Sequence, residues 1–206
     1  MKNYIAIFLI LLSPSVLAKD FSWKNMSLHY AKIHSLFEPQ EYIEDYIKEF
    51  YPKKWSQYSR DEFLFEEKKE MLTQEMLERI NNYDLEKNYT IFTNVELGKY
   101  DFKNNTFPIE EGLSSNSYFY VRPENVDGYK LTSFPREYKL FFANPEDIRF
   151  EMGKEKAKKF VQDRKKSNGY VDRKVSVELI VTIDGFRQEG ENDEFIATIR
   201  SYKYEY

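Results

Sequence analysis

The sequence predicts an α+β fold, with N-terminal helices packed on a mainly antiparallel sheet that carries one lysine-rich helix. Three observations predict it. Apolar residues recur at helical spacing from about 20 to 86, β-branched and aromatic residues dominate from about 88 to 206, and a basic amphipathic stretch interrupts the latter. Cysteine is absent and aromatic residues are 17% of the chain, so rings rather than disulfides must fill the core.

The first eighteen residues, MKNYIAIFLILLSPSVLA, stand apart from the fold. Lys2 gives a positive start, 5–12 is an apolar run, Ser13-Pro14 breaks it, and Val16 and Ala18 occupy the small-residue positions of a cleavage site. The pattern predicts a signal peptide over 1–18, a mature α+β domain over 19–206, and export to the periplasm or beyond. The apolar run is shorter than the roughly 20 residues that span a bilayer, and no transmembrane segment is expected after cleavage.

Within 20–86, a first helix is expected over 26–37. Tyr42, Ile43, Tyr46, Ile47 and Phe50 then mark an amphipathic helix that Pro52 ends. A long helix is expected over 60–83. Ser59 and Glu62 read as its capping box, Leu64, Met71, Leu72, Met76, Leu77 and Ile80 as its apolar face, and Asn81 and Asn82 as its stop.

After Asn88 the pattern is that of strands. Val175, Val177, Leu179, Val181 and Ile183 alternate with polar residues, predicting a strand over 173–183 with one buried face. Its partner is expected over 195–206, across an acidic loop, DGFRQEGEND. In GKYDFKNNTFPI, Gly98 reads as a bulge and KNNT as a polar turn in which Asn tolerates left-handed geometry. Tyr100, Phe102 and Phe107 then form either a hydrophobic clasp around that turn or a ligand-stacking surface.

The basic helix is expected between 153 and 168, closed by Asn168 and Gly169. Residues 154–174 hold nine Lys or Arg against three Asp or Glu, in a chain whose net charge is −4. On a helical wheel Lys158, Lys159, Lys165 and Lys166 share one arc, and Ala157, Phe160 and Val161 lie opposite. This arc is either a solvated face or a patch for an anionic partner: lipid headgroups, acidic glycan or an acidic protein. The overall acidity argues against a nucleic-acid partner.

Catalytic signatures are missing. His29 and His34 are five apart, about 140° on a helix, and do not form the i, i+4 pair of a metal site. There is no nucleophile elbow, phosphate-binding loop or dinucleotide fingerprint, so no catalytic residue, metal or cofactor is assigned. The segment after Asp184 lacks the residue order of a calcium loop. Carboxylates are abundant, 35 in all, and paired carboxylates are what a glycosidase uses.

ELGKYDFKNNTFPI and the later IRFEMGKEKAKKFVQDRKKSNGYVDRKVSVELIVTI resemble an uncharacterised bacterial family, the domain of unknown function numbered 4852. Tyr100-Asp101-Phe102, Phe107-Pro108, the small Ala157 and Arg173 carry the resemblance, over roughly 88–206, with the helical part a further candidate for it. It implies an exported bacterial protein and no particular reaction. The expected function is an exported interaction or accessory protein. The alternatives are a carboxylate-based hydrolase of cell-envelope carbohydrate and an inhibitor or immunity-like partner of a secreted enzyme.

Overall fold

A computed structural model describes residues 19–189 and 192–205; the expected signal peptide lies outside them. Strand β1 (Lys19–Asp20) is followed by helices α1 (Trp23–Ile33), α2 (Pro39–Phe50), α3 (Pro52–Tyr58) and α4 (Glu62–Asn81). Then come β2 (Asn88–Leu97), β3 (Thr106–Phe107), β4 (Ile109–Glu111), β5 (Tyr118–Val121), β6 (Tyr138–Phe142), β7 (Phe150–Glu151), α5 (Lys154–Asp163), β8 (Lys174–Glu189) and β9 (Asn192–Glu205).

The fold is α+β, around a mixed sheet ordered β1-β2-β8-β9-β6-β5. Only β1–β2 and β6–β9 run parallel, and β4 pairs with the free edge of β2. In β8, Val175, Val177, Leu179 and Val181 all face the core, as their period-2 spacing requires. One buried cluster joins residues of α1, α2 and α4 to residues of the sheet. At one end of the sheet, α1 lays Trp23, His29 and Tyr30 on Tyr138, Phe195 and Phe186. At the other end, Phe107 meets Phe160 of α5, and Phe150 meets Tyr204 of β9.

Several boundaries differ from expectation. Asp61, not Ser59, caps α4 by accepting from Leu64 N at 3.0 Å. Ser59 instead closes α3, a helix opened by the same Pro52 that ends α2, since proline lacks only a hydrogen-bond donor that the first turn does not use. Met71 faces solvent, and Thr73 joins Leu72, Met76 and Ile80 on the buried side of α4.

DGFRQEGEND is mostly strand rather than loop. Phe186 pairs with Phe195, and Arg187 pairs with Glu194 across the hairpin at 2.6 Å. An inward ring and a cross-strand ion pair outweigh the loop-like composition. The basic helix stops at Asp163 and not at Asn168. Lys165 already bridges to Val171, and Gly169 turns the chain at φ +84°. Of the two asparagines in KNNT, Asn105 takes the left-handed geometry, at φ 56°.

Candidate functional site

The residues singled out in the sequence fall in separate places. Lys158 and Lys159 project from α5, while Lys165 and Lys166 sit in the turn beyond it. All four are exposed, but the single helical arc is not formed, because the helix ends first. Ala157 and Phe160 are buried and Val161 half-buried. Of the three rings around the 100–107 turn, Phe107 is 1% exposed and Phe102 71%. Tyr100 lies between them, 5.0 Å from each ring, and its hydroxyl donates to Met152 O at 2.7 Å. The stretch therefore splits into a core residue, a tether and a solvent-facing ring.

His29 is buried. The Tyr83 hydroxyl donates to Asn25 O at 2.6 Å, which leaves the Tyr89 hydroxyl to donate to Tyr83 at 2.7 Å. His29 Nδ1–H then donates to Tyr89, 3.3 Å away. A second ring proton would place a cation in this dry site beside Lys87. Burial first, and the lysine charge second, bring the His29 pKa down to about 4. It is a neutral core histidine. Among the described residues, no group of His, Asp or Glu is arranged to hold a metal ion.

The most site-like feature is an open cleft of about 810 Å³ between α1, the segment 122–137, β6 and β9. Its lining includes Tyr30, Arg122, Arg136, Glu137, Lys139 and Asp193. Two carboxylates of α2 build one wall by fixing the irregular segment from behind. Asp45 Oδ2 accepts from the backbone N–H groups of Thr132, Ser133 and Phe134 at 2.8, 2.8 and 3.1 Å. One turn later, Glu49 accepts from Glu124 N and Asn125 N at 3.0 and 2.8 Å. Both acids are fully buried, and without them those loop donors would be stranded. Trp23 Nε1 adds a bond to Pro135 O at 2.9 Å.

Inside the cleft the charges are ordered. Glu137 holds Arg122 through two nitrogens at 3.0 and 2.7 Å and stands 3.9 Å from Lys139. Asp193, on the hairpin arm of β9, is only 9% exposed. Its Oδ1 is buried with no hydrogen-bond partner among the described residues. Burial pushes its carboxyl above the usual range, and nearby His34 pulls it partly back. An orphaned acceptor of this kind is costly unless a donor arrives.

Sequence reasoning missed this cleft, whose lining is gathered from distant segments. A signal for its scaffold did exist. Asp45 follows Tyr42 by three residues and Glu49 follows Tyr46 by three, so both acids flank the apolar stripe of α2.

The family model described as "Domain of unknown function (DUF4852)" matches residues 39–163. The match runs from the first residue of α2 to the last of α5. It contains Asp45, Glu49 and the 122–139 wall, leaves Tyr30 and Asp193 outside, takes in the helices from α2 on, and stops before Arg173 and the β8 segment that also carried the resemblance. No curated protein and no solved structure matches the chain.

Proposed function

The chain belongs to the DUF4852 family, and we propose that it is an exported bacterial accessory protein that binds a polar ligand in the cleft beneath residues 122–137. Export rests on the 1–18 pattern of positive start, apolar run and small-residue cleavage site. Binding rests on one observation above all: Asp193 presents a buried acceptor, unpartnered among the described residues, at a cleft that also displays Arg122, Arg136 and Lys139. A ligand carrying both a hydrogen-bond donor and an anionic group satisfies both features.

The raised carboxyl of Asp193 favours a second reading, a hydrolase with Asp193 as proton donor. That chemistry needs a second carboxylate facing the substrate, and Glu137 is already committed to Arg122. Binding is therefore the stronger reading.

The test is a thermal-shift panel of envelope-type saccharides, peptides and their building blocks, run with wild type, Asp193→Asn and Arg136→Ala. At least one compound should raise the wild-type melting temperature and lose its effect in both variants. A compound that stabilises all three proteins equally binds elsewhere and rejects the cleft. Intact mass of the exported form should begin at Lys19.

A further inference from the structure

The outward face of the sheet at its β5 edge carries an ordered set of rings and cations. Tyr118 pairs with Phe141 and Tyr120 with Lys139 across β5–β6. Strand alternation sends these residues outward together with Arg122, while Tyr138, Leu140 and Phe142 turn into the core. Two strands in from β6, Arg187 of β8 reaches the same face. The cations interleave with the rings: Arg122 lies 4.8 Å from the Tyr120 ring, Lys139 5.3 Å from Tyr118, and Arg187 5.2 Å from Phe141. Tyr118 and Phe141 are themselves 5.4 Å apart. Glu137 and Glu194 stand among the cations, at 2.7 Å from Arg122 and 2.6 Å from Arg187. Tyr118 and Tyr120 are about half exposed. Arg122, Glu137 and Lys139 also line the cleft, so platform and cleft are one continuous surface.

We propose that this surface binds an acidic saccharide, a chain of hydroxylated rings bearing carboxylates, which enters the cleft and continues along β5. The proposal deepens the cleft reading above and rests on it. Aromatic side chains offer faces to the C–H surfaces of sugar rings, and Arg122, Lys139 and Arg187 meet the carboxylates. Asp193 in the cleft accepts from a sugar hydroxyl, while Glu137 and Glu194 hold Arg122 and Arg187 in place. Alternating charge of this kind suits a polymer that carries both acids and donors. It suits a dense polyphosphate poorly, because the two glutamates and a chain of net charge −4 repel it. From Tyr118 to Arg122 the platform spans about 13 Å at the strand rise of ~3.3 Å per residue, room for more than one sugar ring.

The experiment is titration calorimetry of the purified chain with an oligogalacturonate of defined length. A neutral malto-oligosaccharide of equal length and an oligo(dT) serve as comparators. Oligogalacturonate should bind saturably, more weakly at high salt, and better than either comparator. The exposed substitutions Tyr120→Ala and Arg122→Gln should each weaken it about tenfold without moving the melting temperature, and Asp193→Asn should weaken it from the cleft side. Loss with Asp193→Asn but indifference to Tyr120→Ala and Arg122→Gln overturns the platform and leaves the cleft reading standing. Equal binding of the neutral oligosaccharide overturns the acidic class. Preference for oligo(dT) overturns the saccharide, and no binding of any probe overturns the proposal, with the thermal-shift panel then deciding the cleft separately.

Discussion

Helices α2 and α5 are both amphipathic and both crowded with charge, yet they use it in opposite ways. In α2, Asp45 and Glu49 are fully buried and hold two stretches of loop by their backbone N–H groups. Lys48, itself buried, braces Asp45 at 3.3 Å and donates to Lys130 O at 3.0 Å. In α5, Lys158 and Lys159 lie in water, and only Ala157 and Phe160 are buried to anchor the helix. A buried carboxylate that satisfies several donors is strongly coupled to folding, whereas an exposed lysine is screened by solvent. The conspicuous charge run thus faces solvent, and two ordinary-looking acids shape the candidate site.

The largest effect is expected from Asp45→Ala. It strands the N–H groups of Thr132, Ser133 and Phe134 and leaves Lys48 with one anchor fewer, so urea unfolding should show a loss of about 3–5 kcal/mol. Ligand binding at the cleft should fall with it. A loss below ~1 kcal/mol would erase the contrast between the two helices.

On the α5 side the burden falls on apolar contact. Phe107→Ala removes the ring that Phe160 packs on, 5.3 Å away. Phe107 also borders an open depression into which neighbours can relax, so about 3 kcal/mol, the low end for a buried Phe, is expected. Phe102→Ala, at an exposed site, should cost less than ~1 kcal/mol. Equal losses would mean that the two rings act as one unit.

Acid should weaken the helical end of the core through His29. Its folded pKa is depressed from 6.5 to about 4, so its contribution is complete above pH 6.5 and is lost as pH falls through about 4, where both states are protonated. The loss is on the order of 3 kcal/mol at ~1.4 kcal/mol per pH unit. His29→Gln should flatten the pH dependence of the melting temperature in that window, and an unchanged profile would point to other groups.

The smallest effect is expected from Glu at all four of Lys158, Lys159, Lys165 and Lys166. Stability should move by no more than about 0.5 kcal/mol, as for other surface changes, while salt-sensitive retention on anionic vesicles falls if this patch meets an anionic partner. A large drop in melting temperature would show that the lysine stems, rather than Phe160 alone, hold α5 in place.

The parts of the fold that were legible in the sequence were those written in local spacing. Tyr42 to Phe50 spelled α2, Leu72 to Ile80 most of the buried side of α4, Val175 to Ile183 the inner face of β8, and Asn105 its own left-handed turn. Misreadings came where a distant partner outweighed a local signal. The acidic run 184–189 became strand because Phe195 and Glu194 face Phe186 and Arg187. The basic helix ended at Asp163 because the following residues turn back, with Lys166 N bonded to Tyr170 O at 2.7 Å.

The sequence by itself determined the fold class, the family resemblance and most of the elements, because hydrophobic period and propensity act over a few neighbouring residues. Only the tertiary structure decided which charges are structural and where a cleft opens. Burial, which makes Asp45 a staple and leaves Asp193 Oδ1 without a partner among the described residues, depends on distant segments: Phe134 is 89 residues from Asp45, and His34 is further still from Asp193. A carboxylate reads the same in sequence whether water, a backbone N–H or nothing stands beside it, and its energy differs by several kcal/mol among the three.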